Sequence, residues 1–175
     1  MANSYFQFKQ FTIHQNKCAM KVTTDACLFG AWVANEIKNV HKDSFGEELR
    51  VKYCLDIGTG TGLLALMLAQ KVSGEINCVE IDAAAAKQAQ ENADLSPWGK
   101  RIFIMTGDAK KMVETFGKDF DLIISNPPFY EKEIRSASGS KNIAHHSDEL
   151  TLKELLALIE NYLEPTGNFF LLMPY

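Results

Sequence analysis

Tyr53-Cys54-Leu55-Asp56-Ile57-Gly58-Thr59-Gly60-Thr61-Gly62 runs directly into Leu63-Leu64-Ala65-Leu66-Met67-Leu68-Ala69-Gln70, which reads as strand, glycine turn and helix in immediate succession. Glycines at alternate positions let the chain turn sharply and let a ligand approach the main chain without meeting Cβ atoms. The helix is apolar nearly all round, so it should lie against a sheet. The spacing is G-x-G-x-G, whereas the loop that cradles the pyrophosphate of nicotinamide cofactors is G-x-G-x-x-G. Taken alone, the turn does not decide between a dinucleotide and another ligand class.

Strands and helices alternate from there onward. Ile76-Asn77-Cys78-Val79 ends in Glu80, about twenty residues past the glycine turn, where a doubly wound fold places the carboxylate that takes both hydroxyls of a ribose. Asp82 precedes the helix-like Ala83-Ala84-Ala85-Ala86-Lys87-Gln88-Ala89-Gln90-Glu91-Asn92 and reads as its N-cap. Arg101-Ile102-Phe103-Ile104-Met105 is the next strand; Asp108 after it either accepts from the amino group of a bound adenine or caps a helix starting near Lys110. Phe120-Asp121-Leu122-Ile123-Ile124-Ser125 and Asn168-Phe169-Phe170-Leu171-Leu172-Met173 complete the strand set. Alternating β and α with short loops predicts an α/β, doubly wound, mostly parallel sheet of Rossmann-like type covered by helices on both faces.

Asn126-Pro127-Pro128-Phe129 closes the strand at 120–125. Two prolines fix φ and remove two backbone donors, leaving carbonyls as acceptors that point away from any ladder. With the Asn126 side-chain oxygen beside them, these acceptors suit the two N–H donors of an exocyclic amine such as N6 of adenine, and Phe129 offers a face for the base. An ordinary Pro-Pro turn is the competing reading. Glu80, Asp108, Asn126 and the glycine turn all fall at strand C-terminal ends, where such sheets bind ligands.

The 175 residues predict one domain: an N-terminal arm or hairpin and a helix from about Asp25 (residues 1–38), a polar linker (39–50) and a core (51–175). With 46% hydrophobic and 23% charged residues, the composition is that of a globular protein, and no apolar stretch reaches the roughly 18 residues of a membrane helix. Cys18, Cys27, Cys54 and Cys78 lie far apart without a C-x-x-C, which suggests reduced thiols in the cytoplasm. His145-His146 lacks neighbours at ligand spacing, so no metal is expected.

These motifs resemble those of S-adenosylmethionine-dependent methyltransferases acting on exocyclic amines. Lys9-Gln10-Phe11, Cys18-Ala19-Met20-Lys21-Val22, Thr24-Asp25, Leu28-Phe29-Gly30-Ala31-Trp32, Gln88-Ala89-Gln90-Glu91-Asn92 and Ser96-Pro97-Trp98 are similar to the bacterial valine-tRNA adenine-N6 methyltransferases, which modify the adenine on the 3′ side of the anticodon. The resemblance implies a class I methyltransferase fold with S-adenosylmethionine as cofactor and tRNA as partner. It implies that Asp56, Gly58, Thr59, Gly60 and Gly62 hold the methionine part, Glu80 the ribose and Asp108 the adenine. Asn126, with Pro127, Pro128 and Phe129, would hold the target amine, and Lys21, Thr24 and Asp25 would line the entrance near the methionine tail. Family members often carry Arg at the position of His145, and their sheet continues past the strand at 168–173, so further C-terminal strands are expected to be missing from this chain.

The net charge of −4 argues against non-specific, charge-driven binding of nucleic acid, so RNA would be held by local patches. Residues 1–24 contain no acidic side chain but carry Lys9, Lys17 and Lys21 among Tyr5, Phe6, Phe8 and Phe11, while residues 132–146 form a polar, Ser-rich loop suited to gripping a substrate. Guanine N2, DNA adenine and the glutamine of a release factor remain alternative acceptors. A non-catalytic RNA-binding module of the same fold and a nicotinamide oxidoreductase are alternatives from other classes. Nothing in the sequence sets an oligomeric state.

Overall fold

A computed structural model describes residues 3–40, 51–117, 119–127 and 150–173. An antiparallel hairpin, β1 (Tyr5–Gln7) and β2 (Thr12–His14), leads into α1 (Thr24–Val40). Then follow β3 (Tyr53–Ile57), α2 (Leu63–Ala69), β4 (Glu75–Glu80), α3 (Ala83–Asp94), β5 (Ile102–Thr106), α4 (Ala109–Thr115), β6 (Phe120–Ser125), α5 (Leu152–Tyr162) and β7 (Leu163–Leu171). Among the described residues the five later strands form one sheet in the order β5-β4-β3-β6-β7, and every pairing is parallel. That is the doubly wound α/β arrangement expected from the alternation of motifs.

Side chains of successive strand residues point to opposite faces, and two separate apolar clusters result. Cys54, Ile76, Cys78, Ile102, Leu122 and Ile124 pack with the α1 and α2 side chains. Leu55, Ile57, Val79 and Ile123 pack with Val113 of α4 and with Leu155, Leu158 and Ile159 of α5. All seven residues of α2 are buried, the packing that an all-round apolar helix requires. At the other end of the strands, Asp121 Oδ2 accepts from the Lys52 and Tyr53 amides at 2.8 Å each, which pins the start of β3 to β6.

Local capping bears out the sequence reading at Asp82 and adds caps that it did not name. Asp82 accepts from the Ala85 amide at 2.7 Å as the N-cap of α3, and Thr151 with Glu154 forms a reciprocal capping box at α5. At α1 the Thr23 hydroxyl accepts from the Ala26 amide at 3.2 Å. Helix α1 continues to Val40, so the first two residues of the expected linker are helical; residues 41–50 lie outside the described set. Strand β7 begins at Leu163 rather than Asn168, with a register irregularity opposite Phe120 and Leu122. Pro165 is accommodated there because, among the described residues, β7 pairs only with β6, and an edge strand can dispense with a donor.

The hairpin is docked chiefly by apolar burial. Phe11 and Ile13 are buried in the main cluster, each worth roughly 1.5–3 kcal/mol. The exposed Lys17–Glu91 ion pair at 2.7 Å adds little, because water screens it. Phe8 stacks on Phe11 with ring centroids 4.5 Å apart, while Tyr5 and Phe6 remain 44% and 45% exposed. Phe8 and Phe11 therefore pack the arm onto the domain, while Tyr5 and Phe6 keep much of their surface in solvent.

Two glycines with similar surroundings should respond oppositely to alanine. A Cβ on Gly74 would lie 2.3 Å from the Lys52 carbonyl oxygen, which accepts from the Glu75 amide at 2.8 Å, and 2.4 Å from the backbone oxygen of Val51. A Cβ on Gly30 would meet the Met67 sulfur at 2.6 Å, the end of a flexible side chain. Gly74→Ala should lose about 1–3 kcal/mol of stability in urea denaturation. Gly30→Ala should be near neutral, because the roughly 1 kcal/mol gained in helix propensity offsets the adjustment of Met67.

Candidate active site at the strand tips

The register of the sheet brings the four tip motifs into one row. Ile57 lies opposite Val79 on one side and Ser125 on the other, so the residues that follow, Gly58, Glu80 and Asn126, stand abreast. Glu80 in turn lies opposite Thr106, and the Gly107 amide donates to the Glu80 carbonyl at 2.8 Å, which sets Asp108 at the far end of the row. The order across the tips is Asp108, Glu80, the glycine turn, Asn126. Strand spacing puts the main chains of Glu80 and Asn126 about 10 Å apart, a gap that one extended ligand can bridge.

The glycine turn is held open by its own backbone and by Glu80. Gly58, Gly60 and Gly62 have φ of 73°, 57° and 81°, a region that side-chain-bearing residues avoid. Around Gly58 and Gly60 the space a Cβ would enter is empty to 4 Å, so a ligand can approach the main chain there. Glu80 is 9% exposed; its Oε2 accepts from the Gly60 amide at 2.8 Å and its Oε1 from the Asp82 amide at 3.0 Å.

Asp56 and Thr59 lie beneath the turn. The Asp56 side chain is wholly buried, with Oδ2 accepting from the Thr59 hydroxyl at 2.6 Å and Oδ1 without a hydrogen-bond partner. Thr59 is 6% exposed and its hydroxyl is turned inward onto that carboxyl. Burial pushes the Asp56 carboxyl up to about 7, against the opposing pull of the Thr59 hydroxyl and of the Ala65 amide, which completes no hydrogen bond of ordinary geometry.

The remaining sequence candidates are placed unevenly. Asp108 Oδ1 accepts from the Lys110 amide at 3.0 Å, so it caps α4, and its Oδ2 lies 4.0 Å from Lys110 Nζ. Asn126 and Pro127 are half-buried directly after β6; Pro128 and Phe129, like residues 132–146 with His145, lie outside the described residues. The Lys21 ammonium donates to the carbonyls of Gln15 and Cys18, tying the arm to itself, and Thr24 is exposed at the start of α1. Burial, with the charges of Glu80 and Asp82, pushes the Cys18 thiol up to about 11 against the opposing pull of Lys21.

Asn92 belongs to one of the quoted motifs, but the sequence assigned it no role. It is fully buried on α3, and its amide makes three hydrogen bonds, to both backbone groups of His14 and to the Thr61 carbonyl. An asparagine within the last turn of a helix, where its propensity is poor, was the available signal. Among the described residues no group of three His, Cys, Asp or Glu side chains could hold a metal ion. A shallow depression of about 300 Å³ bounded by Lys52, Ser73 and Arg101 lies at the other end of the strands and shares no residue with the row of tips.

The raised carboxyl of Asp56 gives a pH signature. Its folded pKa of about 7 exceeds the unfolded value of ~3.9, so the folded state holds the extra proton between them. Its stabilising contribution is therefore complete below pH ~4 and is lost as the pH rises through 7. Asp56→Asn should remove this component, so that in urea midpoints taken from pH 4 to 8 the wild type declines relative to the variant. Parallel curves would mean that Asp56 remains ionised throughout.

The methyltransferase small domain model matches residues 20–173. The protein named tRNA1(Val) (adenine(37)-N6)-methyltransferase in Bacteroides fragilis is 42% identical over 175 residues, covering 99% of this chain and 68% of that protein. Its namesake in Parabacteroides distasonis is 41% identical, with 100% of this chain and 68% of the relative covered. Among solved structures, the SAM-dependent methyltransferase of Agrobacterium tumefaciens superposes with a TM-score of 0.67 at 18% identity, covering 98% of this chain and 53% of that one, a likeness of fold. On the match to residues 20–173 and on these relatives, the chain belongs to the methyltransferase small domain family.

Proposed function

We propose that this chain transfers a methyl group from S-adenosylmethionine to the exocyclic N6 amine of an adenine in tRNA, the base beside the anticodon of valine tRNA. The order of the strand tips is the observation that carries the reading. Adenine at Asp108, ribose at Glu80, methionine at the glycine turn and a target amine at Asn126 follow one another across β5, β4, β3 and β6 as the parts of such a ligand and its acceptor would. The relatives that share some 42% of their residues over this whole chain carry that activity in their names.

The residues present fit the donor. A carboxylate has about four acceptor positions, and Glu80 uses two on the Gly60 and Asp82 amides, which leaves two for a ribose diol. The unpartnered, buried Asp56 Oδ1 suits a cationic group above the glycine turn, and the open space at Gly58 and Gly60 admits a chain close to the backbone. When bound, S-adenosylmethionine supplies a methyl carbon already activated by its sulfonium. The protein's part is then positioning: holding donor and acceptor in line is worth roughly 7–11 kcal/mol as effective concentration.

An adenine amine is conjugated with its ring and is a poor nucleophile. The Asn126 side-chain oxygen and the Pro127 carbonyl accept its two N–H bonds most strongly as the nitrogen pyramidalises, so they favour the transition state over the planar ground state. Phe129 stacks the base. No dedicated general base is needed, since the proton leaves after transfer. Of the arm lysines proposed to meet RNA, Lys17 already pairs with Glu91 and Lys21 with backbone carbonyls, so Lys9 with the exposed Tyr5 and Phe6 is the stronger candidate contact. No helix among the described residues is long and apolar enough to cross a membrane, and the four unpaired cysteines suit the cytoplasm, where tRNA is found.

The deciding experiment incubates the protein with labelled S-adenosylmethionine and tRNA from cells lacking the modification, then identifies the labelled nucleoside. N6-methyladenosine is expected; transfer only to a protein glutamine or to duplex DNA overturns the reading. Glu80→Ala should weaken S-adenosylmethionine at least tenfold in calorimetry, since charge-assisted bonds of roughly 1.5–3 kcal/mol each are lost. A 2′-deoxy analogue of the donor should discriminate less between wild type and variant, because the diol is what Glu80 engages. Asn126→Ala should slow transfer on the order of 100- to 1,000-fold with donor affinity nearly intact, as when one oxyanion-hole donor is removed.

A further inference from the structure

The N-terminal hairpin and the glycine turn are far apart in sequence, yet a single side chain is bonded to both. Asn92 Oδ1 accepts from the His14 amide at 2.9 Å, and Nδ2 donates to the His14 carbonyl at 2.8 Å and to the Thr61 carbonyl at 2.8 Å. The amide thus completes the outer edge of β2 as a neighbouring strand would, engaging both backbone groups of one residue. Its second N–H fixes the peptide just before Gly62, the left-handed residue from which α2 starts. At the same level of α3, the space a Cβ on Gly62 would fill ends 3.4 Å from Ala89, so turn and helix are in direct contact.

We propose that Asn92 is a positioning residue that couples docking of the hairpin to the shape of the glycine turn, so that filling the methyl-donor site and seating the arm are one linked equilibrium. The physical basis is the environment of the amide. It is fully buried, so an amide that lets go of the His14 groups or the Thr61 carbonyl finds no water in their place. If the turn shifts, the amide must follow, and the His14 bonds lose their geometry. Coupling of this kind is reciprocal: a ligand that holds the turn also holds the arm. The inference rests on the proposed binding of S-adenosylmethionine at the strand tips.

The test is hydrogen exchange of the peptide covering residues 12–16, with and without saturating S-adenosylhomocysteine, whose binding is first confirmed by calorimetry. The His14 amide reports directly on the bond to Asn92. In wild type the ligand should slow its exchange at least tenfold. In Asn92→Ala the apo arm should exchange faster and the ligand should bind at least tenfold more weakly. At saturation the added protection of residues 12–16 should be absent, while the glycine turn is still protected. A merely structural Asn92 would lower overall stability without abolishing the ligand-dependent increment. Should Asn92→Ala not fold, Asn92→Ser, which retains one hydroxyl, and the wild-type measurement keep the idea exposed to failure. Binding of the ligand without protection of residues 12–16 in wild type overturns the coupling alone, as does an equal increment in the variant. Absence of calorimetric binding overturns the donor reading and the coupling with it.

Discussion

The Glu80 carboxylate is the point on which the strand tips depend. Its Oε2 holds the Gly60 amide, its Oε1 holds the Asp82 amide, and its own carbonyl accepts from Gly107, so three loops are fixed through one residue. A carboxylate at 9% exposure is costly to keep charged unless donors surround it, and the two backbone amides meet that need. They also fix the rotamer. The lone pairs left over are aimed before any ligand arrives, so little ordering remains to be done on binding.

Helix α3 carries that order outward. Asp82 caps it within two residues of Glu80, Ala89 packs under Gly62, and Asn92 reaches both Thr61 and the hairpin. The glycine turn is therefore keyed to α3 from above and from the side, while Asp56 supports it from below through Thr59. The cysteines play no such part. Cys54 and Cys78 are buried in the sheet with thiols pushed far up by burial, which leaves them as small apolar fillers rather than nucleophiles.

Strand tips and caps were legible in the sequence because they depend on short-range chemistry. Glycine spacing, an acidic residue about twenty positions later and a Pro-Pro exit from an apolar run each carry their own local cause, and the parallel sheet assembles them without further information. Long-range partners left no such mark. That Lys17 meets Glu91, Lys21 meets the Gln15 carbonyl, and Asn92 meets His14 depends on how the arm folds back, which no periodicity encodes. Asp108 is ambiguous for a different reason: a carboxylate at a strand tip that precedes a helix has the chemistry for a cap and for a ligand at once, and one oxygen serving Lys110 leaves the other available. The early start of β7 carries no local mark either, because Pro165 lacks the donor that a ladder uses and only an edge strand tolerates it.

The same internal engagement of side chains bears on how an RNA would be held. Lys17 is joined to Glu91, Lys110 to Glu154, Lys21 to backbone carbonyls, and Arg101 to the carbonyls of Ala69 and Gly74 at the end of α2. Each of these cations would have to give up or share a partner to meet a phosphate, and the net charge of −4 offers no long-range attraction to compensate. For the proposed tRNA substrate, recognition must then weigh on shape and on a base that can be splayed into the crevice, more than on counting phosphates. A site built this way discriminates against nucleic acid that lacks an accessible adenine, because the bound state gains little until the base reaches the Asn126 tip.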